Sequence, residues 1–243
     1  MKGFIDNDNR LNSFLFFVIF GKTKQEYDAL EIDKKIQVCA ERAYLEFCRT
    51  ITIFIHTDPG TGRKYKDSEW KNMVENLKNL YYKGNAHFSG IIEAIKILIN
   101  AKSQEAYNKA HRKLCLSITE VEDETVICGS LSVGQAQKWV NMIMKYLWLT
   151  GCVSDGYKFL HVPIDNYTLK VLADGNTSTS IKKNGNQYMV KCKDQFVPWS
   201  RITDYDDCYK LIQEEFNNYA SISGFSSLIE WEFNAWLSIA ENQ

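Results

Sequence analysis

One stretch of the sequence combines a lysine and an aspartate with local signals that could position both. Ser132-Val-Gly-Gln135 has the form of a capping box, with serine at the N-cap and glutamine three residues later. Lys138 follows in the first turns of the predicted helix, and Lys145 lies two turns further on. His161-Val-Pro-Ile-Asp165 then leads into a second predicted helix, for which Asp165 is a suitable N-cap. The pattern predicts two helix starts that each carry an ionisable side chain.

A lysine amine and a carboxylate can together act on the sugar carbon that bears a nucleobase. The amine can attack that carbon if burial or a neighbouring cation lowers its pKa, and Lys145 is a candidate for that cation. A carboxylate beside the sugar would stabilise the positive charge that develops there. Such an enzyme must also hold the extruded base between aromatic or apolar side chains. The available tryptophans are Trp139, Trp148 and Trp199.

The same stretch, roughly residues 128–172, resembles the helix-hairpin-helix DNA glycosylase superfamily. In that family a glycine-containing hairpin leads into a helix that bears the catalytic lysine. The chain then returns through a short apolar segment to an aspartate at the next helix start. Lys138 matches the lysine, Asp165 matches the aspartate, and Ser130-Leu-Ser-Val-Gly134 stands where the family has its Pro-Gly-Val-Gly hairpin.

The resemblance implies an all-helical or nearly all-helical fold and a DNA base-excision glycosylase, with or without lyase activity. It implies that Lys138 is the nucleophile and that Asp165 is its electrostatic partner. The expected substrate is double-stranded DNA with a damaged or modified base, and neither a cofactor nor a metal is expected. The residues expected to contact the substrate are Gly134, Gln135, Lys145 and Trp199.

Each of these residues also has a structural explanation. A lysine on the polar face of a helix is usually solvated, and an N-cap role alone would account for Asp165. Trp139 and Trp148 lie on the apolar stripe of their helix, which favours core packing over base stacking. Trp199, in an irregular segment, is the freer candidate. The alternative function is therefore a non-catalytic helical protein that binds nucleic acid or another protein.

Two basic clusters are candidates for contacts with a nucleic-acid backbone. Arg63-Lys64-Tyr-Lys66 forms the first, and Lys182-Lys183 together with Lys191 and Lys193 forms the second. Cations interleaved with tyrosine and glycine suit phosphate binding, although solubilising loops have the same composition. Because the formal net charge is -1, any such binding must depend on a local patch.

Helical periodicity dominates the remaining sequence. Apolar residues at i, i+3, i+4 and i+7 predict one long helix over 25–55 and further helices over 88–100 and around 103–118. A helix between Asp67 and Gly84 is also predicted, as are helix starts at 203–206 and 227–230. Residues 174–198 lose this period and indicate either a short hairpin or a long surface loop, with any strands within about residues 178–193.

Composition indicates an ordinary globular protein. With 243 residues and 45% hydrophobic residues, the chain is expected to form one helical domain over 1–243, or two closely packed helical lobes with the cleft near 128–172. The apolar run Phe14–Phe20 is too short to span a bilayer and is expected to be buried. Seven cysteines without a CxxC pair are expected to be reduced. We therefore expect a cytoplasmic monomer that does not contact a membrane.

Other catalytic motifs are incomplete. Gly21-Lys-Thr23 matches the end of a phosphate-binding loop, but Phe16 occupies the position of the required first glycine. The four histidines lie far apart in the sequence and lack metal-binding spacing, and the chain has no GxSxG element for a serine nucleophile.

Overall fold

The computed structural model describes residues 8–55, 66, 68, 86–120, 131–174 and 180–241. This part of the chain is mostly helical with one small antiparallel sheet, as the sequence predicts. The α-helices are α1 (Asp8–Phe20), α2 (Lys24–Asp28), α3 (Ile32–Ile55), α4 (Ala86–Ile99), α5 (Gln104–Thr119), α6 (Val133–Leu149), α7 (Asn166–Asp174), α8 (Leu211–Ile222) and α9 (Leu228–Glu241). The strands are β1 (Ile181–Asn184), β2 (Gln187–Cys192) and β3 (Gln195–Pro198). Short 3₁₀ helices cover Asp155–Phe159 and Trp199–Arg201, and a π-helical turn covers Tyr205–Lys210.

Several predicted helices are confirmed in place and in burial. The helices predicted over 88–100 and 103–118 correspond to α4 and α5. The helix start predicted near residue 203 corresponds to the π-helical turn, which continues into α8, and the start predicted near residue 227 corresponds to α9. The helix predicted between Asp67 and Gly84 lies outside the described residues. The prediction of one domain, or of two lobes around a cleft, stays a prediction.

Helix α6 is the central element, and it is buried on its polar side as well as on its apolar side. Its apolar stripe includes Trp139 and Ile143, which are fully buried against α3 and α5. The 3₁₀ helix Trp199–Arg201 and the π-helical turn also pack against α6. As a result Asn141 is fully buried and Lys138 is 9% exposed. The expectation that Lys138 lies on a solvated helix face is therefore wrong.

The single helix expected over 25–55 is instead two helices. Thr23 and Glu26 form a capping box that starts α2, and α2 ends at Asp28 before α3 begins at Ile32. Tyr27 of α2 is fully buried, and its hydroxyl shares a hydrogen bond with Thr150 Oγ1 at 2.9 Å. The predicted stripe of α3 is buried nonetheless, at Ile36, Cys39, Ala40, Ala43 and Tyr44.

The apolar run Phe14–Phe20 lies in α1, and only one side of it is covered. Phe16 and Phe20 pack against Tyr27, with ring centroids 5.4 and 5.9 Å away. Phe14 and Phe17 are 61% and 52% exposed, so the expectation of a buried segment is wrong for this side of the helix. No helix in the described ranges is both long enough and apolar enough to cross a membrane.

The region that lost helical period forms a three-stranded antiparallel sheet in the order β1-β2-β3. The hairpin alternative is thus the one observed, but the strands extend to Pro198, beyond the expected limit near residue 193. Gly185, with φ of 59°, is the first residue of the two-residue turn between β1 and β2, a position that favours glycine. One face of the sheet packs against α7, the helix that follows Asp165.

A disulfide bond joins Cys192 of β2 to Cys208 of the π-helical turn, with their Cα atoms 4.9 Å apart. This corrects the expectation that all cysteines are reduced. The two residues meet because β2 packs against that turn, a contact that cysteine spacing alone does not indicate. Cys39 and Cys115 are free thiols in the core.

Candidate functional site

The structure brings Lys138 and Asp165 into direct contact. The Lys138 ammonium donates a hydrogen bond to Asp165 Oδ2. The capping box at Ser132 fixes the start of α6, because Ser132 Oγ accepts from Gln135 N at 3.0 Å and Gln135 Oε1 accepts from Ser132 N at 3.0 Å. The two charged residues are 9% and 5% exposed, so they form a nearly buried ion pair between α6 and the start of α7.

Asp165 uses its two carboxylate oxygens for different purposes. Oδ1 caps α7 by accepting from the N–H groups of Tyr167 and Thr168 at 2.9 and 3.0 Å, whereas Oδ2 pairs with Lys138. Burial by itself would raise the pKa of Asp165, but the Lys138 charge and the capping N–H groups outweigh burial and lower it. Asp165 therefore stays ionised at neutral pH.

The segment that leads to Asp165 is fastened to α6 by Gln137. Gln137 Oε1 accepts from Ile164 N at 3.1 Å, and Gln137 Nε2 donates to Ile164 O at 3.1 Å and to Gly134 O at 2.9 Å. A side-chain amide that pairs with both backbone groups of one residue fixes that residue in position. Gln137, which sequence reasoning did not select, thus positions the aspartate one residue further on.

Trp199 lies beside the ion pair, with Lys138 Nζ 5.7 Å from the centre of its ring. It is only 8% exposed, so it is less free than the sequence suggested. The backbone carbonyl of Trp199 comes so close to Gly134 that a Cβ atom there would lie 1.9 Å from the oxygen. Gly134 N also donates to Ile202 O at 2.9 Å. Gly134 therefore permits the close approach of the segment that carries Trp199.

Lys145 forms a second buried ion pair and does not act as an uncompensated cation near Lys138. Its ammonium donates to both carboxylate oxygens of Glu232 at 2.7 Å. The exposed fractions of the two side chains are 12% and 1%. Burial raises the pKa of Glu232, with Lys145 opposing and Asp165 adding to the rise. Glu232 lies on α9, and no local signal in the sequence links it to α6.

A buried cluster of histidine and tyrosine side chains continues from Asn141. Asn141 Oδ1 contacts His111 Nε2 at 2.8 Å, and Asn141 Nδ2 donates to Tyr209 OH at 3.0 Å. His161 Nδ1 contacts the same Tyr209 hydroxyl at 2.9 Å. Burial lowers the pKa of His111 to about 4 and that of His161 well below its usual value, so both rings are neutral. The histidines are 50 residues apart in the sequence, which is why their spacing does not reveal the cluster.

The remaining predicted contacts lie on the sheet or outside the described residues. Lys182 and Lys183 are exposed on β1, and Tyr188 N of β2 donates to Asn166 Oδ1 at 3.3 Å, one residue after Asp165. Arg63 and Lys64 lie outside the described residues. Within the described ranges, no group of three or more His, Cys, Asp or Glu side chains could hold a metal ion.

Comparisons with known proteins add no further constraint. None of the protein families, curated proteins or solved structures compared with the chain matches it.

Proposed function

We propose that the protein is a DNA glycosylase that removes a damaged or modified base from double-stranded DNA, with Lys138 as nucleophile. The observation that supports this proposal most directly is the contact between Lys138 Nζ and Asp165 Oδ2. Two helices place the Lys138 ammonium and the ionised Asp165 carboxylate side by side, although the residues are 27 positions apart in the sequence. This is the arrangement that attack on an anomeric carbon requires.

The reaction follows from the chemistry of a primary amine. Lys138 first gives up a proton, which Asp165 relays to the departing base, so that Asp165 is again ionised when the bond to the base breaks. The lone pair of Nζ forms a bond to the sugar C1′ while the bond from C1′ to the base breaks. A second Nζ proton then passes to the ring oxygen, and the sugar opens to a protonated imine between Nζ and C1′. The Asp165 carboxylate stabilises the positive charge that builds up on the sugar.

Access to Lys138 requires movement of the segment that includes Trp199. Trp199 is nearly buried with its ring beside Nζ, and Gly134 allows the backbone around Trp199 to pack directly on α6. In the proposed enzyme, the segment that includes Trp199 moves aside when DNA binds, and the indole becomes available to an extruded base. The expected contacts of Gly134 and Gln135 with DNA would also require this opening.

Borohydride trapping tests the proposal. Duplexes with an abasic site, uracil, an oxidised base or an alkylated base are incubated with the protein and sodium borohydride, which reduces the imine to a stable covalent adduct. We expect the unmodified protein to be trapped and Lys138→Met to give no adduct. Lys145→Met is the matched control, because Lys145 is on the same helix and is also paired with a buried carboxylate. The control should retain trapping.

Base release is measured in parallel, since a glycosylase that uses water in place of the amine would form no adduct. If no substrate gives either an adduct or a free base, the proposal is wrong. Equal loss of trapping in Lys138→Met and Lys145→Met, with both variants folded by circular dichroism, would show that Lys138 has no special role.

A second candidate function is a non-catalytic binding protein in which the ion pair is structural. The low exposure of Lys138 and Asp165, 9% and 5%, favours it, because structural ion pairs need no access to solvent. It predicts binding to nucleic acid or protein without base release from any of these duplexes.

A further inference from the structure

The outer face of the sheet carries cations around an exposed aromatic ring. The strand register pairs Lys182 with Met189 and Lys191 with Phe196, and these four side chains share one face because side chains alternate along a strand. Lys182, Lys191 and Phe196 are exposed, and Phe196 has 38% of its surface accessible. Lys182 Nζ lies 5.9 Å from the centre of the Phe196 ring. The register therefore gathers residues from three strands into one patch, which we call the outer sheet patch (Lys182, Met189, Lys191 and Phe196).

The opposite face of the sheet is the one that stabilises the fold. Tyr188 and Val190 of β2 are 7% and 0% exposed, and the sheet packs against α7. The outer sheet patch is thus held by a rigid, packed element, although its own residues contribute little to the core. A partly exposed aromatic ring beside lysines on a packed element provides a positioned surface for a ligand.

The charges of the patch are not neutralised within the described part of the chain. Neither Lys182 nor Lys191 makes an ion pair there, whereas neighbouring Lys193 pairs with Asp204 at 3.1 Å and with Asp207 at 3.5 Å. The lysines of the patch are therefore available to an anionic ligand. The ligand must also offer a flat surface to Phe196.

We propose that the outer sheet patch binds single-stranded nucleic acid, with Phe196 stacked on an unpaired base and Lys182 and Lys191 on flanking phosphates. Strand-binding surfaces combine these features, because cations follow the backbone and aromatic rings stack on successive bases. A duplex would offer the phosphates but not the open face of a base. An acidic peptide would offer charge but no stacking partner.

The patch is connected to the candidate catalytic site by a short piece of chain. Strand β3 carries Phe196 and ends at Pro198, and the next residue is Trp199, whose ring lies beside Lys138 Nζ. A strand bound at Phe196 would lie against the segment that must move for access to Lys138. An effect of this binding on catalysis depends on the proposed glycosylase function, whereas binding of a single strand at the patch does not.

Fluorescence anisotropy with a labelled oligothymidylate tests the inference across a range of salt concentrations. Lys182→Glu/Lys191→Glu should weaken binding at least about tenfold and reduce the slope of log affinity against log salt by about 1.4, since each single-strand phosphate contact contributes about 0.7. Phe196→Ala should weaken binding about 5- to 150-fold, the range for loss of one stacked base, and should leave the salt slope unchanged. A circular dichroism spectrum checks that each variant folds.

Lys109→Glu/Lys113→Glu is the matched control, because it reverses two exposed charges on α5. It should change the affinity for oligothymidylate less than about twofold, because salt screens the effect of charges that are far from the patch. Unchanged binding in the Phe196 and lysine variants, or an equal loss in the control, would overturn the inference. Base release is assayed in the same variants: release without patch-dependent binding contradicts the patch alone, and patch-dependent binding without release contradicts the glycosylase alone.

Discussion

Replacement of Asp165 by asparagine separates the two roles of this side chain. Asparagine is also a good N-cap, so a capping role alone predicts an almost unchanged free energy of unfolding. The structure predicts a large loss, because Asp165→Asn keeps the acceptor for Tyr167 N and Thr168 N but removes the charge opposite Lys138. The substitution therefore tests the ion pair with the cap held nearly constant.

The magnitude follows from the burial of the pair. The side chains of Lys138 and Asp165 are 11% and 8% exposed, so a lysine without its partner would be a nearly buried, uncompensated cation. Breaking such a pair costs about 3–5 kcal/mol. Replacing both charges is much less costly, and Lys138→Met/Asp165→Asn should recover most of the loss. The free energy of unfolding of an ordinary domain is about 5–15 kcal/mol, so Asp165→Asn should remove a large fraction of it.

Urea denaturation followed by circular dichroism measures these differences at neutral pH. We expect Asp165→Asn to lower the midpoint strongly with an unchanged slope, and we expect the double variant to unfold near the unmodified protein. If Asp165→Asn lowers the free energy of unfolding by less than about 1 kcal/mol, the pair contributes no more than a solvent-exposed ion pair does, and the argument from its burial is wrong. A double variant no more stable than Asp165→Asn would refute it as well.

Three further predictions concern the surroundings of the site. Because the folded-state pKa of His111 is about 4 and the unfolded value is about 6.5, the unfolded state gains a proton first as pH falls. Stability should therefore decrease from about pH 6.5 toward pH 4, by about 2 kcal/mol at pH 5 from His111 alone, and denaturation midpoints that stay level between pH 7 and 5 would contradict this. Gly134→Ala should destabilise the protein by more than about 3 kcal/mol in urea denaturation, since its Cβ would lie 1.9 Å from Trp199 O. Ser132→Ala, which removes the cap and the hydrogen bond from Ser132 Oγ to Ser200 O at 2.6 Å, should cost about 2 kcal/mol. Reduction of the disulfide between Cys192 and Cys208, which closes a 16-residue separation, should cost about 3 kcal/mol, and no shift of the thermal midpoint with dithiothreitol would contradict the bond.

The sequence predicted local features of the site because they depend on neighbouring residues. The capping box at Ser132 is present as expected, and Asp165 is the N-cap of α7. The apolar stripe of α6 is also buried as predicted. These features follow from helix geometry over one or two turns, which a single sequence specifies well.

The sequence did not predict what covers the polar side of α6. The covering elements are Trp199–Arg201 and the π-helical turn Tyr205–Lys210. Glu232 reaches Lys145 from α9, 87 residues away, and His111 meets His161 across 50 residues. Such partners are set by tertiary packing, and spacing within the sequence contains no signal for them.

The two ion pairs on α6 show which carboxylate is suited to chemistry. Burial raises the pKa of Glu232, whose described hydrogen bonds all come from Lys145, so loss of that cation would favour protonation of the carboxylate. Asp165 accepts two backbone N–H groups at the start of α7 in addition to Lys138. If Lys138 gives up its charge to become a nucleophile, these groups and the helix N-terminus still stabilise the Asp165 anion. A carboxylate that remains charged after its lysine has reacted can stabilise a cationic sugar, which supports Asp165 and not Glu232 as the electrostatic partner in the proposed glycosylase.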